Sequence, residues 1–174
     1  RANKFFIKSC VKIFCYSDRI KNLPNKYTSK ISVIPPLLRK KFYDIKKADS
    51  IDGYINLLVI GGSQGAKIFD TLIRSLIIEL SKKHSLKIYQ QTNSVNFKEL
   101  KKFYKINNIN HELFDFHEDI SNFMSRSNLC LTRAGASTLA ELVFLNLPCV
   151  AIPLPTAKDN HQFENAFFYN KIGC

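Results

Sequence analysis

Apolar and polar residues follow one another in blocks that predict strands alternating with helices. The first clear strand is the run from Ile55 to Ile60, which is rich in β-branched residues and ends at a glycine-rich loop. After that loop, apolar residues recur at helical spacing from Ile68 to Leu80. The same strand and helix order then repeats along the rest of the sequence.

This alternation predicts four more strands and four more helices. The predicted strands are LKIYQQ (86–91), HELFDF (111–116), NLCLT (128–132) and PCVAIP (148–153), and the predicted helices are 95–106, 119–126, 136–145 and 160–171. Apolar strands joined by helices form a parallel sheet that is covered on both faces. The pattern therefore predicts an α/β fold, a Rossmann-like doubly wound parallel sheet. It also predicts a truncated domain, because the sequence stops where one more strand is expected.

The pattern before Ile55 is weaker. It predicts a helix-like opening over 3–9 and short strands at KIFCYS (12–17) and KISVI (30–34). The segment from Lys40 to Gly53 is charged and has no periodicity, so we expect a linker or the entry to the main domain.

Composition excludes several classes of protein. Hydrophobic residues make up 45% of the chain and aromatic residues 12%, which excludes a disordered polymer. No run of about 18 apolar residues occurs, so we expect no membrane-spanning helix. The sequence shows no secretory signal and begins at Arg1, which suggests a fragment of a longer chain.

The charge of +12 comes from 26 basic and 14 acidic residues. Most of the cations are dispersed lysines, and the cluster at Lys98, Lys101, Lys102 and Lys105 has the spacing of a solvated helix face. No basic segment interleaved with aromatic residues is present, so nucleic acid is not a predicted partner. A weak attraction to an anionic membrane surface stays open.

Cysteine and histidine spacing gives no indication of a disulfide framework or a metal site. The five cysteines, an odd number without a C-x-x-C pair, are Cys10, Cys15, Cys130, Cys149 and Cys174. Cys130 and Cys149 lie in apolar strand-like runs, so we expect free buried thiols in a reducing compartment. The four histidines lack ligand spacing, and no metal or cofactor is predicted.

The loop Gly61-Gly62-Ser63-Gln64-Gly65 is typical of phosphate binding. It joins a strand to a helix whose free N–H groups and dipole favour an anion, and Ser63 adds a hydroxyl. A tight turn without a ligand is the alternative. The loop lacks the G-K-[ST] of a P-loop, and neither the dinucleotide glycine spacing nor the acid after the next strand is present.

Two further loops carry candidate binding residues. In TRAGASTLAELV, Gly135 frees the backbone, Ser137 and Thr138 can cap the helix or bind an anion, and Glu141 either binds a ribose diol or is an ordinary exposed helix acid. In PLPTAKDNHQFENA, amide side chains at a helix start suit sugar hydroxyls. His161 is more typical of a positioning or surface residue than of a lone catalytic base.

All of these loops follow predicted strands, and in such sheets ligands bind beyond the carboxyl ends of the strands. The loops at 61–65, 115–119, 133–138 and 153–162 therefore share one predicted edge. That common location supports a ligand site more strongly than any single motif does.

Four segments resemble the carboxyl-terminal half of the MurG family of peptidoglycan glycosyltransferases. They are LLVIGGSQGAK, FDFHEDISNFMSRSNLCLTRAGASTLAEL, LPCVAIPLP and KDNHQFENA. The resemblance implies the glycosyltransferase-B architecture, with residues 39–174 as the domain that binds the UDP-sugar. By position, residues 1–38 are then the end of the amino-terminal domain, which binds acceptor and membrane.

The resemblance also implies individual contacts to the donor. Ser63 is expected on the diphosphate, Glu141 on the ribose hydroxyls, and Gln162 with Asn165 on the N-acetylglucosamine hydroxyls. The other implied contacts are Ala136, Ser137, Thr138 and Leu139 near the phosphates, the phosphate-loop glycines Gly61, Gly62, Gly65 and Gly135, His117 at uracil through its main chain, and Arg39. Arg39 ends a segment that reads P-P-L-L-R, without the Gly and Asn of the family motif G-N-P-x-R.

The implied reaction is inverting, metal-independent transfer of N-acetylglucosamine from UDP-N-acetylglucosamine to an undecaprenyl-linked N-acetylmuramyl-pentapeptide, in peptidoglycan synthesis. The implied location is the cytoplasmic face of the bacterial inner membrane, with the anionic surface contacted through the other domain. The glycine loop and histidine that the family uses at the acceptor are not in this sequence, so the 174-residue chain is expected to be inactive alone. A non-catalytic fragment and a transferase with another acceptor stay open as alternatives.

Overall fold

The computed structural model describes residues 5–17, 20, 23–46, 54–61, 68–115, 119–157 and 160–173. The predicted site residues Gly62, Ser63, Gly65 and His117 lie outside these ranges, as does Cys174. The chain divides into two compact units, Arg1–Leu37 and Leu38–Cys174.

The first unit contains a small parallel sheet. Strand β1 (Ile13–Cys15) pairs with strand β2 (Ile31–Val33), which follows a 3-10 helix at Asn25–Lys30. The Lys30 ammonium donates a hydrogen bond to the Cys10 carbonyl oxygen at 2.6 Å and so ties this helix to the segment before β1. Both predicted strands are confirmed, each with three residues.

The second unit is a parallel sheet with helices between its strands. The strands are β3 (Ile55–Ile60), β4 (Leu86–Gln91), β5 (Asn110–Phe114), β6 (Leu129–Thr132) and β7 (Cys149–Ala151), and the helices are α1 (Arg74–Lys83), α2 (Phe97–Ile106), α3 (Ile120–Ser125), α4 (Ala136–Phe144) and α5 (His161–Lys171). The order across the sheet is β5-β4-β3-β6-β7, and every pair is parallel. The predicted Rossmann-like class is confirmed. The strand order reverses between β3 and β6, which is where such sheets bind ligands.

Strand β3 is buried on both faces, which explains its uninterrupted apolar sequence. Leu58 and Ile60 pack in one hydrophobic cluster with residues of α3 and α4, whereas Leu57 and Val59 pack in a second cluster with residues of α1 and α2. The central strand is therefore held from both sides, and its carboxyl end is a fixed point for the loop that follows.

The segment predicted as a linker or as the entry to the main domain contains an ordered turn. Residues Lys40–Asp44 form a 3-10 helix, and Phe42 within it is fully buried in the cluster around Leu58. Phe42 and Tyr43 are two adjacent aromatic residues among charged neighbours and show no periodicity, so the pattern gave no indication of this anchor. The turn fixes the position of Arg39, its N-terminal flanking residue.

Strand β7 lies at the edge of the sheet and is more exposed than predicted. Cys149 is exposed and Val150 retains 53% of its accessible surface, whereas Cys130 on the neighbouring β6 is fully buried. The prediction of a buried thiol is therefore right for Cys130 and wrong for Cys149. Edge strands pack on fewer neighbours than central strands do, although both can have apolar sequences.

The outer helices are only partly covered. Leu72 and Leu76, which belong to the predicted apolar face of 68–80, are 62% and 48% exposed, and the helical path is interrupted by a turn at Ile73. Helix α5 contains no buried residue. No helix in the described ranges has the length and apolarity to cross a bilayer.

Candidate functional site

Three loops begin side by side at the carboxyl edge of the sheet. Strands β3, β6 and β7 are neighbours, and Ile60, Thr132 and Ala151 lie in register with one another. The glycine loop, the 133–135 loop and the Pro153 loop follow these residues directly, which confirms their predicted common edge. The loop after β5 begins two strands away from β3, because β4 lies between them.

Asp70 is a buried carboxylate shortly after the glycine loop, in a helical turn at 68–72. Its Oδ1 accepts a hydrogen bond from Gln90 Nε2 at 3.0 Å. Its Oδ2 accepts bonds from the Thr92 hydroxyl at 2.9 Å and from Asn96 Nδ2 at 2.8 Å. Asp70 therefore fastens the turn after the glycine loop to the carboxyl end of β4.

Tyr104 extends the same buried network. Its hydroxyl donates to Gln90 Oε1, the other end of the amide that binds Asp70. Burial raises the pKa of Tyr104, the charge of Asp70 raises it further, and the charge of Arg74 lowers it. The phenol is consequently held in its neutral, donating form.

Helix α4 begins directly after Gly135 and presents its amino terminus at the same edge. Ala136 and Ser137 are exposed, Thr138 is half-buried, and the N-cap residue Gly135 has no side chain to cap the first turn. Leu139 is 3% exposed and packs in the core, so only its backbone can face a ligand. The N–H groups of this turn are suited to an anion.

Gly135 does not use the backbone freedom that was predicted for it. Its φ of −71° is accessible to any residue, and a Cβ there would meet Thr138 Oγ1 at an ordinary 3.6 Å. The described neighbours therefore leave room for a side chain at this position.

Glu141 is paired with Arg39. Arg39 Nε lies 2.8 Å from Glu141 Oε1, and Nη2 lies 2.9 Å from Oε2. The Glu141 side chain is 5% exposed and that of Arg39 is 47% exposed, so Arg39 covers the carboxylate on its solvent side. The guanidinium also lies over the ring of Phe42, at 5.1 Å. The structure thus brings two predicted site residues together, with Glu141 buried instead of exposed.

Gln162 and Asn165, on the first turns of α5, each bind a neighbouring loop. Gln162 Oε1 accepts a hydrogen bond from the Leu154 N–H at 2.8 Å. Asn165 Nδ2 donates to the Ala134 carbonyl oxygen at 3.0 Å. The two predicted amides therefore lie beside the β7 and β6 loops, while His161 before them is exposed.

Arg133, the first residue of the 133–135 loop, was not predicted as a site residue, yet it contacts the Pro153 loop and residues on both sides of the glycine loop, Ile60 and Phe69. It is 6% exposed, and its Nη1 donates to the carbonyl oxygens of Ile152 and Pro153 at 3.1 and 3.2 Å. Its guanidinium lies 5.2 Å from the ring centroid of Phe69, and its backbone N–H bonds to Ile60. Burial lowers the pKa of Arg133.

The loop after β5 carries Asp119, which accepts a hydrogen bond from the Ser121 hydroxyl and lies 3.5 Å from the Lys41 ammonium. The Ser121 bond is the main cause that lowers the pKa of Asp119, and Lys41 contributes in the same direction, whereas partial burial opposes them. His117, the predicted uracil contact in this loop, lies outside the described residues.

Polar residues inside apolar runs could have indicated both missed residues. Asp70 directly follows the apolar pair Ile68-Phe69, and Arg133 directly follows the buried strand LCLT. A charged residue in such a position must find partners on packing.

In the described part of the chain, no group of three or more His, Cys, Asp or Glu side chains could hold a metal ion.

Residues 56–174 match the sequence model of the glycosyltransferase family 28 C-terminal domain. The chain is also similar to curated proteins named UDP-N-acetylglucosamine--N-acetylmuramyl-(pentapeptide) pyrophosphoryl-undecaprenol N-acetylglucosamine transferase. That of Pelagibacter ubique is 62% identical over 99% of this chain, and that of Rickettsia bellii is 36% identical over 100% of it. The chain spans about half the length of these relatives, 49% and 51%.

Among solved structures, the chain is similar to the crystal structure of Acinetobacter baumannii MurG. The TM-score is 0.68 at 25% sequence identity, over 85% of this chain and 47% of that one. The resemblance found from the motifs is confirmed by sequence and by structure. The chain belongs to the glycosyltransferase family 28 C-terminal domain family.

Proposed function

We propose that this chain is the donor-binding half of an inverting, metal-independent glycosyltransferase of peptidoglycan synthesis. The donor is UDP-N-acetylglucosamine, and the acceptor is a lipid-linked N-acetylmuramyl-pentapeptide. The names of the relatives support this reaction, since they describe N-acetylglucosamine transfer to an undecaprenol-linked acceptor. The observation that carries the proposal is the set of three adjacent loops where α4 and α5 present Glu141, Gln162 and Asn165.

Each of the proposed site residues has a role in binding the donor. The amino terminus of α4 and the Ser63 hydroxyl bind the diphosphate, because both supply hydrogen-bond donors. Glu141 accepts hydrogen bonds from the ribose diol; its two oxygens together have about four lone-pair sites, of which Arg39 uses two. Gln162 and Asn165 bind hydroxyls of the sugar.

The transfer step is a single displacement. The acceptor 4-hydroxyl oxygen attacks the anomeric carbon, the bond from that carbon to the diphosphate oxygen breaks, and UDP leaves with the electron pair. The N–H groups of α4 and the glycine loop stabilise the charge that grows on the diphosphate. The proton of the acceptor hydroxyl passes to a base outside these residues.

The two units have separate roles in this proposal. Residues 1–38 are the end of the domain that binds the acceptor and the anionic surface of the inner membrane, and residues 39–174 bind the donor. The whole protein is then a peripheral enzyme of the cytoplasmic face of that membrane. The 174-residue chain alone is expected to bind the donor without turning it over.

Isothermal titration calorimetry of the chain with UDP-N-acetylglucosamine and with ADP tests the proposal. We expect UDP-N-acetylglucosamine to bind at least about tenfold more tightly. We further expect Glu141→Gln to weaken that binding about tenfold, since an amide can accept at only one of its two ends. Equal affinity of the wild-type chain for both nucleotides would contradict the proposal.

Glu112→Gln is the matched control. Glu112 is also paired with an arginine, Arg126, at 3.2 Å, but it lies on β5, away from the three loops. Its substitution should leave the affinity for UDP-N-acetylglucosamine unchanged. If both variants lost the same affinity for UDP-N-acetylglucosamine, the loss would come from removing any negative charge and not from ribose binding.

A further inference from the structure

We infer that Arg133 is a positioning residue for sugar recognition, which acts by fixing the loop at 152–154 and, through that loop, the amide of Gln162. The inference rests on the proposed function, because Gln162 has a sugar to bind only if the donor is a UDP-sugar. It adds Arg133 to the site, and it specifies which end of the Gln162 amide faces the sugar.

The first step is the contact between Arg133 and the loop after β7. One guanidinium nitrogen, Nη1, donates to two successive carbonyl oxygens, those of Ile152 and Pro153, at 3.1 and 3.2 Å. Two bonds from one planar group to adjacent peptide units fix both the position and the orientation of this backbone. Arg133 itself is held by the Phe69 ring and by its place at the end of β6.

The second step leads from the loop to the sugar-binding amide. The next peptide N–H, that of Leu154, donates to Gln162 Oε1 at 2.8 Å. This bond assigns the amide: the oxygen faces the loop, so the NH₂ group is the end that can bind a ligand. Gln162 therefore presents donors to the sugar, and it does so only while the 152–154 backbone is in place.

Asn165 has the opposite orientation. Its Nδ2 donates to the Ala134 carbonyl oxygen, so its acceptor oxygen is the end that can bind a ligand. One amide thus offers donors and its neighbour offers an acceptor. A sugar hydroxyl both donates and accepts, so the pair matches the chemistry of the ligand.

Arg133 is not placed to bind the diphosphate itself. It is 6% exposed, Nη1 is engaged with the loop, and Nε is buried without a hydrogen-bond partner among the described residues. A direct phosphate contact would require a more accessible guanidinium. The contacts therefore favour action through the loop.

A double-variant cycle in the 174-residue chain tests the inference. For wild type, Arg133→Lys, Gln162→Ala and the double variant, calorimetry gives the ratio of the dissociation constants of UDP and UDP-N-acetylglucosamine. This ratio reports the contribution of the sugar to binding, since a general loosening of the site lowers the affinity for both ligands alike. We expect each single variant to lower the ratio about fivefold or more and the double variant to lower it no further than Gln162→Ala does.

Arg126→Lys is the control, because Arg126 also lies over aromatic rings, at Tyr89 and Phe123, and its contacts among the described residues lie outside the 133–135 and Pro153 loops. It should leave the ratio unchanged. An Arg133→Lys variant that weakens UDP and UDP-N-acetylglucosamine equally would overturn the inference, and so would effects that multiply in the double variant.

Folding of each variant is checked by urea unfolding. If Arg133→Lys does not fold, Arg133→Met replaces it, since this side chain carries no buried charge and cannot donate to the loop carbonyl groups. If neither variant folds, Arg133 is required for folding and the inference is overturned. If the wild-type chain binds UDP-N-acetylglucosamine no better than ADP, the proposed function itself fails, which is a different result from normal binding with an unchanged ratio.

Discussion

Arg39 binds both carboxylate oxygens of Glu141, at 2.8 and 2.9 Å, across 102 positions of the sequence. Such two-point contacts are among the stronger hydrogen-bonded ion pairs, because both bonds are charge-assisted. The pair fixes the carboxylate in a buried position on α4. Arg39 is therefore placed to orient the carboxylate that we propose to bind the ribose.

Replacing Arg39 by Met leaves the buried Glu141 carboxylate without its cation. We expect the free energy of unfolding to fall by about 1–3 kcal/mol, the usual cost of a buried polar group that loses its partner. The double variant R39M/E141Q should recover part of that loss, since a neutral amide is less costly to bury than a charge. Urea unfolding measures both values.

Arg126→Met provides the comparison for Arg39. Its partner Glu112 is 45% exposed, and exposed ion pairs contribute about 0–1 kcal/mol. Equal losses for R39M and R126M would show that burial of Glu141 does not strengthen its pair.

Asp70→Ala should destabilise the chain strongly. The substitution leaves the donors of Gln90, Thr92 and Asn96 without their acceptor. We expect a loss of about 2–4 kcal/mol, since each buried donor without a partner costs roughly 1–3 kcal/mol. Asp70→Asn keeps one acceptor oxygen and should lose less. The exposed Asp44→Ala is the control in the same urea assay, and a loss there as large as in Asp70→Ala would count against the network.

The stability of the chain should fall at high pH in a way that depends on Tyr104. Burial raises the pKa of this phenol above its ordinary 10.0 in the folded state. A raised pKa means that the contribution of the neutral phenol is complete below pH 10 and is lost as the pH rises further. Tyr104→Phe should be less stable by about 1 kcal/mol at neutral pH, because it lacks the bond to Gln90. Above pH 10, the free energy of unfolding of this variant should decline less than that of the wild type. An equal decline in both proteins would contradict a raised pKa of Tyr104.

Cys149 and Cys130 should differ sharply in reactivity. Cys149 is exposed on β7, whereas Cys130 is fully buried and burial, with a smaller contribution from Cys149, raises its thiol pKa. Only the thiolate reacts with iodoacetamide. Mass spectrometry of peptides should therefore find Cys149 alkylated in the native chain and Cys130 alkylated only after unfolding, with Cys149→Ser as the control. Similar rates at both positions would contradict the burial of Cys130.

Chelation of divalent cations should not change donor binding. The proposed site stabilises the diphosphate with helix N–H groups and hydroxyls, which need no metal. We expect the dissociation constant for UDP-N-acetylglucosamine to agree within error with and without EDTA. A loss of affinity that added Mg²⁺ restores would overturn metal-independent binding.

Local pattern predicted the framework of the second unit. The run Ile55–Ile60 is buried on both faces, and the helical spacing around α2 and α4 corresponds to real helices. The sequence motifs also placed Glu141, Gln162 and Asn165 on the two helices that meet the common edge. These features depend on neighbours in the sequence, which periodicity and motifs can detect.

Features that depend on distant contacts could not be predicted in this way. The Arg39–Glu141 pair requires Phe42 to be buried against the sheet, and two adjacent aromatic residues in a charged segment do not indicate that. The exposure of Cys149 depends on β7 being at the edge, which follows from strand order and not from its own residues. Arg133 acquires its role only when the carbonyl groups at 152 and 153 come beside it.

The open side of β7 has a practical consequence for work with this chain. Among the described strands β7 pairs only with β6, so its other side presents a row of peptide groups next to the exposed Val150. Such an edge can add a strand from a second molecule and start aggregation. Concentrated samples are therefore expected to self-associate, and a lysine at position 150 should keep them monomeric in light scattering.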